Sequence, residues 1–264
     1  VVNKVLIQIC AKVGGTPWGI DRLPFTDKPT SIIGVDVYNC KGVTYIGCCA
    51  TYSEDLTKYF PIVKYTRSPA SIGDLVAECI TESVTMFKEF VGIAPVHIVI
   101  LRDGITPGLA RNQCRNEVTQ ILSKVKDIKI TYVTINKKNT VKIFHETNNT
   151  LSNIPPGTLV DEEITNMDNF EFFLVSQKTT QGLAQATQYT VMYDTYGASS
   201  QDIHSLVYKM CYLYYNWTGG IKSPAPCQYA KKLAMLMGDK LACGNNNITP
   251  NERFVKEIRS LYFL

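Results

Sequence analysis

At 264 residues the chain is long enough to bury a sizeable core, and 45% hydrophobic with 19% charged residues is ordinary for a soluble globular protein. A net charge of +4 permits a polyanionic partner without requiring one. Nine scattered cysteines with no C-x-x-C pair argue against a zinc site and a disulfide framework, and point to a reducing compartment. The opening VVNKVLIQIC lacks a basic n-region and a cleavage site, so it does not read as a signal peptide, and no run approaches a membrane span. The sequons at Asn148, Asn216 and Asn247 then read as chance matches, and the absence of an initiating Met suggests a piece of a longer protein.

In chain order, the short apolar run Val5–Cys10 reads as a strand, followed by Lys12-Val13-Gly14-Gly15 and a turn-rich stretch to Thr30. Ser31–Val37 is an apolar strand with Asp36 near its end; 42–51 and 58–65 are β-rich and complete a meander. A helix follows, capped by Ser68 with Pro69 in its first turn, and apolar Ile72, Val76, Cys79, Ile80, Val84, Phe87 and Phe90 on one face. Val96–Leu101 is a buried strand that ends in Arg102-Asp103-Gly104. Thr106-Pro107 opens a second helix, 128–135 alternates as a strand, 136–142 is a basic turn, and 148–156 is loop. Phe170–Val175 and Tyr189–Tyr193 are strands joined by a polar loop. The last third is helical over 200–214, 224–241 and 250–261. Nothing splits the chain, and a mixed sheet followed by helices predicts one layered α/β domain.

The chemistry concentrates on two carboxylates. Asp36 and Asp103 both terminate core strands, the minimum arrangement for holding a divalent metal between neighbouring strands. There is no G-x-S-x-G, Gly14-Gly15 lies outside any phosphate-cradling pattern, and His97 inside an apolar strand reads as a core residue, as do Cys48 and Cys49. Basic positions are spread over Lys12, Lys137, Lys138, Lys142, Lys222, Lys231 and Lys232, of which Lys137, Lys138 and Lys142 cluster at a strand end where phosphates are commonly met. Lys231 lies about 200° around its helix from Leu233, so it points away from the face Leu233 buries.

The order of these segments resembles the PIWI domain of Argonaute/Piwi proteins, most closely the Piwi branch. The resemblance runs through VLIQICAKVGGTPW (5–18), IIGVDVY (32–38), VHIVILRDG (96–104), ITYVTINKKNTVKIF (130–144), PPGTLVDEEIT (155–165), FEFFLVSQ (170–177), YTVMYD (189–194), LVYKMCYLYYNW (206–217), PAPCQYAKKLA (224–234) and LYFL (261–264). It implies a ribonuclease-H-like fold, a central mixed sheet flanked by helices, over residues 1–264, with 1–30 including the strand next to the MID domain and the K-x-G-G turn. MID, PAZ and N domains would lie outside this chain. It also implies an intracellular protein, cytoplasmic or nuclear and monomeric, that binds a small guide RNA and its complementary RNA target and works with silencing effector proteins rather than at a membrane.

Cutting members of the family hold two magnesium ions with Asp-Glu-Asp-His or Asp-Glu-Asp-Asp. Asp36 and Asp103 match the first and third positions. The Glu position falls on Ser71, and the fourth, in the P-A-P-x-x-Y-A-H segment, is Lys231. Ser71 lacks a carboxylate, and a protonated lysine cannot ligate a metal. Two carboxylates nearby would keep Lys231 charged, so its ammonium is expected to neutralise the Asp36/Asp103 pair itself. The expectation is therefore a guide-binding domain that does not cut its target, with catalytic Mg²⁺ in doubt. One rival is an active endonuclease with Asp74 or Glu78 as the third acid; another is an interaction module that has lost RNA. By the same resemblance Lys12 and Gln8 meet the guide 5′ phosphate, the Leu264 carboxylate helps hold a Mg²⁺ there, and Lys138, Lys142 and Lys222 contact the RNA backbone.

Overall fold

The computed structural model describes residues 2–105, 107–166, 169–243 and 260–264. Its centre is three parallel strands, β1 (Thr30–Cys40), β4 (His97–Asp103) and β5 (Lys129–Asn136), in the order β1-β4-β5. Antiparallel strands extend both edges of this unit. β2 (Val43–Thr51) and β3 (Tyr59–Thr66) add beyond β1, and β10 (Thr187–Asp194), β9 (Phe170–Leu174) and β8 (Leu159–Val160) add beyond β5. The expected meander and mixed sheet are therefore present.

Side chains alternate strictly across the central strands. Ile32, Val99, Leu101, Val133 and Ile135 enter one core, and Ile33, Val35, Ile98, Ile100 and Tyr132 enter the other. Near-continuous apolar runs are what a sheet covered on both faces demands. The first core is closed by α4 (Ser200–Met210), α5 (Ala225–Cys243) and the chain end, where Leu261 and Phe263 are buried. The second is closed by α2 (Ile72–Val91) and α3 (Pro107–Lys124). α5 lies directly on the sheet because two strand positions have no side chain. A Cβ at Gly34 would stand 2.2 Å from the Pro226 carbonyl carbon, and one at Gly47 2.1 Å from the Ala230 oxygen.

Three local expectations differ from the structure. Val5–Cys10 is not a strand but part of α1 (Val2–Lys12). A short apolar run fits either element, and here Ile7 and Ala11 at helical spacing turn towards the core. Ser68 makes no side-chain cap; a 3-10 turn over Pro69–Ser71 intervenes, and Ser71 becomes the residue preceding α2. The segment 148–156, expected as loop, contains half of a hairpin of β6 (Phe144–Thr147) and β7 (Thr150–Asn153). Asn148 and Asn149 both have positive φ, 51° and 59°, as a two-residue turn matched to strand twist requires, and asparagine tolerates that region. The helix expected at 250–261 falls, but for its last two residues, outside the described ones. No described helix is long and apolar enough to cross a membrane.

His97 opens β4, at the end of the strand opposite Asp103, and is fully buried. The Thr131 hydroxyl donates to Asp194 (2.8 Å), so it accepts from His97 Nε2 (2.8 Å), leaving Nδ1 as a lone pair without a partner. Burial pushes this imidazole down to about 4, and Lys28 adds to the effect while Asp194 opposes it.

Two predictions follow from the packing. Gly47→Ala should destabilise the fold by about 2–3 kcal/mol in chemical unfolding, since the new methyl meets backbone and not a flexible side chain. As pH falls from 6.5 towards 4, an unfolded His97 takes up a proton that the folded one refuses, so stability is lost on acidification. This one group accounts for about 3 kcal/mol, and unfolding at pH 7 and pH 4.5 should lose that much less in His97→Gln.

Candidate functional site

The carboxyl ends of parallel strands are where open α/β sheets place ligands, because chain reversals leave a crevice there. β1 and β4 pair with Val35 opposite Arg102, so the next residues, Asp36 and Asp103, stand side by side. Both belong to the α5 face of the sheet, in phase with Gly34 and Leu101. Both are almost fully buried. Asp36 Oδ1 accepts from the Val37 amide (2.7 Å) and would lie 2.8 Å from a Cβ at Gly104, whose φ of +83° turns the chain away at this point. Asp103 Oδ1 accepts from the Gly104 amide (2.8 Å). The expected juxtaposition of the two aspartates is observed. Burial, then the adjacent Asp103 charge, pushes the Asp36 carboxyl up to about 6, with Lys137 and Arg102 pulling the other way.

The cation that meets this pair is Lys137. It follows β5, whose Ile135 pairs with Asp103, and its ammonium forms a salt bridge with Asp103 Oδ2. Burial works against the charge on Lys137, but Asp103 beside it and Asp36 behind more than offset that and raise its pKa. Lys231 was expected in this role and does not take it. Its backbone is close, since Ala230 packs on Gly47, the cross-strand partner of Asp36. Its side chain nevertheless lies on the exposed face of α5 and makes no ion pair with either aspartate. The helical geometry that turns Leu233 into the core sends Lys231 outward.

The other candidates are arranged as follows. Ser71 is half-buried at the start of α2, which sits beside Glu117: a Cβ at Gly73 would be 3.8 Å from Glu117 Cγ. Asp74 and Glu78 face Lys124 in the last turn of α3, at 2.9 and 3.9 Å, and not the aspartate pair. Among the described residues no group of three or more carboxylate, histidine or cysteine side chains stands close enough to hold a metal ion. Two buried carboxylates, one already bridged to an ammonium, do not fit the donor set of a two-magnesium centre, which needs several anionic or imidazole ligands around both ions.

Beneath the pair lies an ion pair that the sequence reading missed. Arg102, pointing to the α3 face, is fully buried with Nε and Nη2 on Glu117 (3.1 and 3.2 Å) and Nη1 on the Asp103 carbonyl (2.5 Å). The Glu117 carboxylate also accepts from Tyr132 (2.5 Å) and Gln113 (3.0 Å), so every oxygen is used. Burial opposes the Arg102 charge, yet Glu117 outweighs it and raises the pKa. An arginine inside an apolar strand and a glutamate in phase with Cys114, Val118 and Ile121 were the signal for this pairing.

The basic residues fall in two groups. Lys138, Lys142 and Lys222 are exposed around the segment 184–187: Asn139 donates to the Ala186 carbonyl (2.8 Å), Lys222 Nζ reaches Gln185 (3.4 Å), and Thr187 donates to the Lys222 carbonyl (2.8 Å). In the second group, exposed Lys12 closes α1, Gln8 binds Asn216, and Ala11, Gly14 and Gly15 share a small cavity with Leu261. The chain end therefore lies beside the Gly-Gly turn, with Leu264 half-buried against the core.

Similarity searches agree with this architecture. The Piwi domain family model matches residues 1–242. The chain is 36% identical over 247 residues to Piwi-like protein Ago3 of Bombyx mori, covering 90% of this chain and 26% of the relative. It is 32% identical over 250 residues to Piwi-like protein 1 of Gallus gallus, covering 91% and 28%. Among solved structures it is similar to Drosophila Piwi, with a TM-score of 0.84 and 31% identity over 99% of this chain and 35% of that one. It shares its fold with Kluyveromyces polysporus Argonaute, a structure with a guide RNA, with a TM-score of 0.84 and 19% identity over 99% and 36%. The chain thus spans about a quarter of the length of the curated relatives it matches.

Removing the ammonium should expose the cost of the buried pair. Lys137→Met is expected to destabilise the protein by about 1–3 kcal/mol at pH 8 and by less at pH 5. A carboxyl held above its unfolded pKa makes the fold less stable as pH rises from about 4 through 6, and without Lys137 that window deepens and extends upward. Asp103→Asn in the same chain should restore most of the loss in thermal unfolding.

Proposed function

Because the chain belongs to the Piwi domain family, with its ribonuclease-H-like fold, we propose that the full-length protein is an RNA-guided silencing factor that binds a small guide RNA and the guide–target duplex without cutting the target. The observation that carries the second half is the salt bridge between Lys137 and Asp103, with Ser71 and Lys231 at the other two positions of the family's metal-binding set. Phosphodiester cleavage by two metal ions needs both held about 3.5–4 Å apart by anionic or imidazole ligands, and only Asp36 and Asp103 remain to supply them. The endonuclease alternative requires Asp74 or Glu78 to leave Lys124 and enter the site.

Guide binding in this reading uses Lys12, Gln8 and the Leu264 carboxylate at the 5′ phosphate. One carboxylate facing RNA phosphates suits Mg²⁺, which binds through one or two carboxylates plus phosphate oxygens. Lys138, Lys142 and Lys222 form an exposed basic surface suited to the phosphate backbone, which fixes position while base pairing supplies sequence. Silencing would then proceed through recruited effector proteins in the cytoplasm or nucleus.

The guide-loaded full-length protein in Mg²⁺ or Mn²⁺ is expected to hold a complementary target RNA intact; a cut opposite the middle of the guide would establish the endonuclease instead. In filter binding the affinity should fall with salt, and Lys138→Ala should lower the slope of log K against log salt by about 0.7–0.9. RNA affinity that is absent or independent of salt would leave an interaction module as the better account.

A further inference from the structure

Trp217 is the feature that neither the core nor the sites above absorb. It follows α4 and a turn in which its amide donates to the Tyr214 carbonyl (2.9 Å), and it stands 52% exposed. A single exposed apolar residue is ordinary. The surroundings of this one are not, because it is held against the polar flank of α1. The three faces of that helix have separate jobs. Ile7 and Ala11 point to the core, and Val5, Leu6 and Ile9 point outward. Between these faces Lys4, Gln8 and Lys12, four residues apart, form one ridge about 12 Å long.

The Trp217 loop is joined to that ridge at two points. Gln8 Nε2 donates to Asn216 Oδ1, and Asn216 Nδ2 donates to the hydroxyl of buried Tyr214 (3.3 Å), which fixes the loop. The Lys4 ammonium lies 5.8 Å from the indole centroid, in cation–π range. Gly219 lets the chain pass close beneath the ring, for a Cβ there would stand 2.9 Å from Trp217 Nε1. An indole in water, flanked by a cation and seated on a hydrogen-bonded loop, matches the chemistry of a ligand with a flat π-face and an adjacent negative charge. A nucleotide within an RNA strand has both, and an aromatic platform in a basic groove is the recurrent way to hold one without reading its sequence.

We propose that Trp217 and Lys4 form a nucleobase-stacking subsite for the 5′ region of a bound RNA, adjoining the phosphate position at Gln8 and Lys12. The inference rests on the reading that this protein binds a guide RNA. Trp217 stacks on a base whatever its identity, and Lys4 faces the neighbouring phosphate. The subsite therefore adds affinity and fixes the direction in which the strand leaves the 5′ pocket, while adding no sequence preference.

The test is equilibrium binding of a 5′-phosphorylated single-stranded guide RNA to the full-length protein. Trp217→Ala and Trp217→Leu should each weaken binding about tenfold, and Trp217→Tyr, which keeps a π-face, should retain most of the affinity. Lys4→Ala should reduce the salt slope by about 0.7. In a series of guides with one abasic residue walked along the 5′ half, one position should abolish the difference between wild type and Trp217→Leu. Wild-type affinity in Trp217→Leu would overturn the subsite, and so would a loss that no abasic position relieves, which would assign the indole to a protein contact. If Lys12→Ala weakens binding while Trp217→Leu does not, only this subsite fails. If the wild type itself binds no RNA, the guide-binding reading fails as well.

Discussion

Two carboxylates stand side by side, almost fully buried, at the ends of neighbouring parallel strands, and one ammonium bridges to the second of them. The rest of this site depends on that arrangement. The alternation of β4 sends Asp103 to the α5 face and Arg102, one residue earlier, to the α3 face. Each buried charge then finds its opposite on its own side: Lys137 from the end of β5 for the aspartates, and Glu117 from α3 for the arginine. Arg102 also holds the Asp103 carbonyl, so the two ion pairs are joined through one backbone unit. Removing Lys137, Arg102 or Glu117 leaves an uncompensated charge where the surroundings polarise poorly, which is why such pairs are costly to break even when they contribute little net stability.

Much of this was legible in the sequence because it follows from strong local patterns. The apolar runs ending in Asp36 and Asp103 identify two buried strands and their working ends, and the periodicity through Val76, Cys79, Ile80 and Phe87 identifies the helix packed behind them. What escaped was decided by reach and contact. Lys137 and Lys231 are equally plausible partners for the aspartates in one dimension. The curl of the β5–β6 connection brings the first to Asp103, and the pitch of α5 turns the second to water. The strand expected at Val5–Cys10 failed for a different reason: a short run of Val, Leu and Ile carries no period of its own until tertiary contacts choose one. The hairpin turn at Asn148-Asn149, expected as the start of a loop, was missed because the two successive positive φ values that make it tight are seen only in the structure.

The surface lysines and the buried carboxylate pair are separate systems, the pair being engaged internally by Lys137. The exposed lysines are distributed around loops pinned by side-chain amides, Asn139 and Gln185 in one group and Gln8 and Asn216 in the other. Lys12, Lys138 and Lys142 are exposed, whereas Lys137, three-quarters shielded, is committed to Asp103. One fold thereby uses the same side chain in two ways, as a mobile surface charge for long-range attraction and as a fixed counter-ion for a buried acid.

The most direct test of that commitment is anomalous scattering from crystals of the full-length protein grown in Mn²⁺. The account predicts no pair of ions between Asp36 and Asp103, with the Lys137 ammonium still bonded to Asp103 Oδ2. Two Mn²⁺ peaks about 4 Å apart, with Lys137 displaced and a third carboxylate closing around them, would contradict it.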